Sequence, residues 1–491
     1  MRLYRASGVL LHPTSLPGKY GIGSLGKEAF DFIDFLVEAG QKLWQICPLG
    51  PTGFGDSPYQ CFSAFGGNPL LISLEKLVEE GFLSIRDLRK HPDFRKDTVD
   101  YGLLIGWKNL LLRKAYINFG KSDKLSREYN SFVKENGDWL EDYSLFMALK
   151  DFHNGGSWLC WSKEYKYRDK KAIKDFKNKN QSNIDFYKFI QFLFFRQWIE
   201  LKKYASSKGI KIIGDMPIFV SMDSADAWAK PFYFQFDKKL NPLKVSGVPP
   251  DYFSKTGQLW GNPLYNWRRI SQDGYKWWIR RFQVILRLVD YVRVDHFRGF
   301  AANWAVRYGA RTAVKGRWEK GPGGHFFEVL QKKIKNLPII AEDLGVITPD
   351  VVEMRKRFNF PGMKILQFGF EGTVDFLPHK YERNFVAYTG THDNDTMAGW
   401  YKKAKSSTRK FVSEYIGKKF SSLHWDVIRI LFSSAADFVI IPMQDVLWLG
   451  SKARMNFPGT SSGNWRWKLK NLNGARRIAG KLKSLTLLYG R

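Results

Sequence analysis

Asp290-Tyr-Val-Arg-Val-Asp-His-Phe-Arg-Gly-Phe300 (DYVRVDHFRGF) opens like a buried strand and closes in charge. Strand alternation sends Tyr291, Arg293 and Asp295 to one face and Val292 and Val294 to the other. An ion pair satisfied inside a core would explain Arg293 and Asp295, and so would a reactive site. The rest of the chain has to decide between them.

Seven other short apolar runs have the same strand character: GVLLH (8–12), KLWQICPL (42–49), IKIIGD (210–215), LPIIAED (337–343), MKILQF (363–368), NFVAYTG (384–390) and DFVIIPMQD (437–445). Amphipathic helical stretches separate several of them. In GKEAFDFIDFLVEAG (26–40), helical spacing places Phe30, Ile33, Leu36 and Val37 on one face, and Gly40 stands where a helix stops. Eight strands alternating with helices imply parallel pairing and an α/β fold, a (β/α)8 TIM barrel. The spacing is uneven, so the barrel is expected to carry largely helical subdomain insertions. Residues 1–65 and 200–491 are assigned to the barrel and 66–199 to a mainly helical insertion. A second insertion is expected at about 220–285.

Acids follow the strands. Asp295 ends YVRVD, Glu342 and Asp343 follow LPIIA, His392 and Asp393 follow Gly390, and Asp215 lies in IIGDMPIFV. Any one of these could cap a helix or pair with an arginine. Four at corresponding positions point instead to the carboxyl ends of barrel strands, where this fold keeps its active sites. Charged groups there are otherwise expensive to bury.

Several carboxylates beside an arginine and histidines suit glycosidic cleavage. One carboxylate attacks the anomeric carbon while a carboxylic acid protonates the leaving oxygen, the two standing ~5–5.5 Å apart in a retaining enzyme. An arginine beside the nucleophile would keep it ionised, and burial would raise the acid's pKa toward ~6. Aromatic residues, 16% of the chain, can supply stacking faces for sugar rings, although most of the phenylalanines read as ordinary core. Tyr59, Trp260, Trp465 and Trp467 lie in polar loops and are the platform candidates.

Other chemistries fit less well. The chain has no P-loop and no His-Glu-x-x-His, and GIGSLG (21–26) lacks dinucleotide-binding spacing. His296 and His392 do not have metal-ligand spacing, so no metal and no cofactor are expected. Cys47, Cys61 and Cys160 are too few for a disulfide framework, and a reducing cytoplasm is the expected compartment. No signal peptide or membrane span is expected.

The balance of 78 Lys+Arg against 47 Asp+Glu leaves +31, which raises the question of a nucleic-acid partner. The lysines gather at 162–181, 401–410 and 476–483, in polar stretches that read as solvated helix faces and loops. No specific nucleic acid and no membrane partner is expected.

Taken together, SGVLLHPTSLPGKYGIGSLG, WQICPLGPTGFGDSPYQCFSAFGGNP, GDMPIFVSMDSADAW, GVPPDYFSKTGQLWGNPLYNW, VRVDHFRGF, AEDLG, YTGTHDNDT and ARMNFPGTSSGNWRW are highly specific. The chain resembles, nearly end to end, the 4-α-glucanotransferases of glycoside hydrolase family seventy-seven, also called amylomaltases or disproportionating enzymes. The resemblance implies retaining transfer on α-1,4-glucans and maltooligosaccharides such as glycogen, starch and maltodextrin. It makes Asp295 the nucleophile, Glu342 the general acid/base and Asp393 the acid that holds sugar hydroxyls. It places Arg293, Asp215 and His392 around the reacting glucose, with Ser57, Tyr59, Gln258, Trp260 and Asn464 as further substrate contacts. Residues 247–260 resemble a loop that covers the cleft and keeps water from the glycosyl-enzyme.

Lys255 stands in that loop where some relatives carry an acid. The stretch 368–379 is shorter than usual and leaves open whether Glu371 or Asp375 replaces an acid often found there. The chain begins at the first barrel strand, like the compact members of the family. A hydrolase of the same sugars, using the same carboxylates, is the competing reading.

Overall fold

The computed structural model describes residues 3–250, 254–417 and 423–491. Twelve strands are named in chain order: β1 (Ala6–Leu10), β2 (Leu43–Gln45), β3 (Lys211–Pro217), β4 (Lys244–Val248), β5 (Gln258–Pro263), β6 (Tyr291–Asp295), β7 (Ala302–Arg307), β8 (Gly316–Lys320), β9 (Ile339–Ala341), β10 (Gly362–Ile365), β11 (Phe385–Tyr388) and β12 (Phe438–Pro442). Eight form a parallel sheet in the order β10-β11-β12-β1-β2-β3-β6-β9. All eight apolar runs of the sequence lie in it.

The sheet curls almost closed. Between its end strands, Ala341 N donates to Pro361 O at 2.8 Å, and Met363 N donates to Asp343 Oδ1 at 2.8 Å. Arg355 holds Asp343 from behind at 3.0 Å. Asp343 is thus occupied in the barrel seam, and the acids read after β9 divide, with only Glu342 at the site.

Strand alternation sorts the core into two layers. Leu10, Leu43, Ile213, Ile340, Ile365, Val386 and Ile440 pack inside the barrel, with Tyr291 against them. Val9, Trp44, Ile212, Val292, Val294, Val439 and Ile441 face outward into the layer beneath the helices. Parallel strands buried on both faces read as continuous apolar runs, as observed.

The helix of Lys27–Glu38 corrects the expected face. Its buried residues are Ala29, Phe32, Ile33, Phe35 and Leu36, whereas Val37 is 42% exposed. It is wedged against the helices Lys170–Ser207 and Asn473–Leu488, and its Phe32 packs on Trp44 of β2, so burial spreads over more than one stripe.

Helices Tyr101–Phe119 and Ser126–Phe152 lie in the first long insertion, and the helix Lys170–Ser207 continues from it to the edge of β3. It runs through positions 199 and 200. The segment after β3 is different. β4, β5, β7 and β8 form a four-stranded antiparallel sheet, ordered β5-β4-β7-β8, that the reading of helical insertions did not include. Its strands come from both sides of β6, so no single insertion contains it.

The expected covering loop is the β4–β5 hairpin. Gly257 turns it at φ 66°, and a Cβ there would meet Val248 O at 2.4 Å. Residues 251–253 of this loop lie outside the described residues. Among the described residues, no helix is long and apolar enough to cross a membrane.

Candidate active site

The register of β3 and β6 sets Asp215 opposite Arg293, and the side chains meet. Arg293 Nη1 donates to Asp215 Oδ1 and Oδ2 at 2.9 and 2.7 Å and to Asp295 Oδ1 at 2.9 Å. Tyr59 Oη donates to Asp215 Oδ2 at 2.8 Å. Burial pulls against the charge of Arg293, but Asp215 and Asp295 outweigh it and raise its pKa still further. Burial pushes Asp215 up to about 6 against the pull of Arg293. Asp295 differs from its neighbours: its side chain is 29% exposed, while those of Arg293 and Asp215 are 5% and 1% exposed. The carboxylate at the strand tip is therefore the one a ligand reaches.

Glu342 enters from the end of β9. His296 N donates to its Oε2 at 2.6 Å, and Leu344 N to its Oε1 at 3.0 Å. His296 sits at φ 50°, so the chain turns immediately after β6 and aims its N–H at this carboxyl. Burial pushes Glu342 up to about 8, with Arg293 and the two N–H donors opposing and the charge of Asp295 adding. A buried carboxyl that keeps its proton, near one that is partly exposed, is the pairing an acid and a nucleophile require.

The third acid stands on the turn after β11. Asn456 Nδ2 donates to Asp393 Oδ1 at 2.6 Å, and His392 Nε2 lies 3.4 Å from Asp393 Oδ2. Burial works to raise Asp393, but His392 and the Asn456 donor outweigh it and hold the carboxyl well below its ordinary range. Burial likewise opposes the charge on His392, and the Asp393 carboxylate wins, raising the histidine. Tyr59 stacks on His392 with centroids 5.1 Å apart. Trp465 tilts against both rings at 5.7 and 5.6 Å.

A family model described as 4-alpha-glucanotransferase matches residues 11–473. The chain is 49% identical over 481 residues to the 4-alpha-glucanotransferase of Thermus thermophilus, covering 96% of this chain and 95% of the relative. It is 48% identical over 495 residues to that of Synechocystis sp., covering 99% and 98%. This chain belongs to the 4-alpha-glucanotransferase family. A solved amylomaltase from Streptococcus agalactiae, in complex with acarbose, matches it with a TM-score of 0.96 at 41% identity, covering 99% of both chains. The resemblance read from the motifs is thereby borne out, as is the TIM-barrel fold.

Among the other contacts expected for this glucanotransferase, Trp260 packs edge-on against His296 with centroids 4.7 Å apart and donates to Gln258 Oε1 at 3.2 Å. Both belong to β5, which leads out of the β4–β5 hairpin. Ser57 Oγ accepts from Tyr59 N at 3.2 Å and sets the Tyr59 turn.

Asn464 is buried, and its amide is used within its own loop. Its Oδ1 accepts from Phe457 N at 3.0 Å, and its Nδ2 donates to Thr460 O at 3.2 Å. Trp465 is 4% exposed, so it backs Tyr59 and His392 and does not offer an open face. Of the two acids in the stretch 368–379, Glu371 Oε1 accepts from Trp400 Nε1 at 2.6 Å, and Asp375 is exposed.

Sequence reasoning missed Asn456 and Arg454. Arg454 Nη2 donates to Asp393 O at 2.6 Å. Both residues lie in ARMNFPG, and their presence in that motif was the one available signal. Among the described residues, no group of three or more His, Cys, Asp or Glu side chains could hold a metal ion.

Proposed function

We propose that this enzyme cleaves an α-1,4-glucan, holds the donor segment on Asp295 as a glycosyl ester, and passes it to the 4-hydroxyl of an acceptor glucan or glucose. The observation that carries this reading is the contrast between Asp295 and Glu342. Asp295 is bonded to a buried guanidinium and partly open, whereas Glu342 is buried and inclined to keep its proton.

In the first half-reaction Asp295 Oδ attacks the anomeric carbon as Glu342 protonates the departing oxygen. In the second, Glu342 takes the proton from the acceptor hydroxyl, and the ester bond to Asp295 breaks with net retention. The Asp393 carboxylate, ionised beside His392, suits the sugar hydroxyls and the positive charge that develops at the ring. Arg293 steadies the Asp295 carboxylate, and Asp215 and Tyr59 fix Arg293.

Maltotriose tests the reaction. Transfer produces glucose and a ladder of longer maltooligosaccharides while total reducing ends stay nearly constant. Rising reducing ends without longer products would establish hydrolysis on the same carboxylates and overturn the transferase reading.

The proton on Glu342 makes a further prediction. The first half-reaction needs Glu342 protonated, so its rate should fall as pH rises through about 8. A pre-steady-state burst measured across that interval checks it, and a burst rate independent of pH would show that another group supplies the proton.

Lys255 is exposed on the β4–β5 hairpin. Lys255→Glu is expected to change kcat/KM for the acceptor severalfold and to leave the donor half-reaction within about twofold, in line with a weak exposed charge. Equal acceptor kinetics in the two proteins would make Lys255 a surface residue only.

A further inference from the structure

The loop after the helix-like turn Ser451–Ala453 returns to the site and grips the turn that carries Asp393. Arg454 Nη2 holds Asp393 O at 2.6 Å, and Arg454 Nε holds Asn456 O at 2.7 Å. Asn456 N donates to His392 O at 3.1 Å, and Asn456 Nδ2 reaches Asp393 Oδ1 at 2.6 Å. The far end of the loop is clasped by Asn464 on Phe457 N at 3.0 Å and by Trp465 N on Met455 O at 2.8 Å. Asn456 therefore has its backbone and its amide both committed to the His392–Asp393 pair. The Asp393 side chain remains 45% exposed, so a carboxylate oriented from behind still presents a face to the cleft.

We propose that Asn456 is a positioning residue for Asp393: its amide occupies Oδ1, turns the carboxylate so that Oδ2 meets His392, and stabilises the ionised form without adding a charge of its own. The proposal rests on the reading of Asp393 as a substrate-binding acid.

A neutral donor is the suitable group here for an electrostatic reason. The charged or titratable neighbours of the His392–Asp393 pair are Tyr59 stacked on His392, Arg293 from β6, Asp215 from β3, Arg454 from the gripping loop, Cys47 after β2 and His12 after β1. Arg293 is already engaged with Asp215 and Asp295. A carboxylate in place of the Asn456 amide would face Asp393 at hydrogen-bond distance and force the two to share a proton, because like charges at that separation cannot both ionise.

The experiment compares Asn456→Ala, Asn456→Asp and Asp393→Asn by initial rates of glucose release from maltotriose across the pH range, with thermal melts alongside. Asn456→Ala is expected to lower kcat roughly ten- to a hundredfold, more than it raises KM, since it removes a charge-assisted bond that matters most as ring charge develops. Asn456→Asp, of nearly the same shape, is expected to move the acid limb upward by about one pH unit or more, because Asp393 then titrates within the working range.

A wild-type acid limb in Asn456→Asp, or a loss in Asn456→Ala that follows Tm alone, would overturn the positioning role while an inactive Asp393→Asn left the role of Asp393 standing. An active Asp393→Asn would overturn the role of Asp393 and the proposal with it. If neither Asn456 variant folds, the residue is part of the scaffold and a separable positioning role is overturned.

Discussion

Asp295→Asn should lose nearly all turnover of maltotriose, on the order of ten-thousandfold or more in kcat, with its thermal melt close to that of the parent. Removing a covalent nucleophile costs this much because the residual rate comes only from binding and the remaining electrostatics. The fold should tolerate the change: the Asp295 side chain is 29% exposed, and an amide oxygen can still accept from Arg293.

Glu342→Gln gives the decisive contrast. On natural glucans it should also be severely impaired, since no proton reaches the leaving oxygen. With an α-glucosyl fluoride donor, whose leaving group needs no proton, Glu342→Gln should form the glycosyl-enzyme at a substantial fraction of the parent rate. Asp295→Asn should stay inactive on the same donor. Near-normal turnover in Asp295→Asn would remove the nucleophile assignment, and an equal failure of both variants on the fluoride would remove the division of labour.

The second large effect is on Arg293. Arg293→Ala takes one guanidinium from two carboxylates at once, Asp215 at 2.7 Å and Asp295 at 2.9 Å. Breaking a buried pair on one side costs about 3–5 kcal/mol because the partner stays behind uncompensated. Asp215 relieves part of that cost by taking a proton. Its folded pKa, already about 6 through burial, rises further without Arg293, while the unfolded chain keeps an ordinary carboxylate.

The sign follows. Below the unfolded pKa Asp215 is neutral in both states and the penalty is smallest. As pH rises the folded state must retain a proton that the unfolded state has released, so the destabilisation grows. Melts of Arg293→Ala and the parent should therefore diverge with increasing pH, with activity reduced at least about a hundredfold. A pH-independent gap would mean that Asp215 stays ionised and another cation has replaced the arginine. Arg293→Lys should fall between the two, since lysine keeps the charge but cannot place its ammonium where the rigid guanidinium sets the Nη1 that bridges both carboxylates.

Much of this is legible in the sequence. The eight barrel strands announce themselves because a strand buried on both faces must be apolar at nearly every position, and few other elements are both so short and so apolar. The acids after β6, β9 and β11 break that pattern at its carboxyl ends, where a core would not tolerate them. Period-two alternation alone put Arg293 and Asp295 on the face opposite Val292 and Val294, and β6 obeys it.

Other features were hidden for identifiable reasons. The four-stranded antiparallel sheet joins β4 and β5 to β7 and β8 across the intervening β6, and strand pairing between distant segments leaves no local periodicity. The helix of Lys27–Glu38 touches neighbours on more than one side, so an amphipathic count misplaced Val37. Asn464 entered as a substrate contact through the family resemblance, and only the fold shows that its amide bonds Phe457 and Thr460 within its own loop.

The chain by itself therefore determined the barrel and the candidate acids at its strand ends, since burial and side-chain direction are set by residues close together in sequence, while the resemblance singled out Asp295, Glu342 and Asp393 among them. What each acid can do was decided only by tertiary structure. Asp295 and Glu342 are both carboxyls at strand ends. One becomes reachable beside Arg293, and the other is enclosed until it prefers its proton. Asp393 is held ionised by His392, its neighbour in sequence, and by Asn456, 63 positions away. Desolvation and charge depend on what the fold packs around a group, and those neighbours come from every part of the chain.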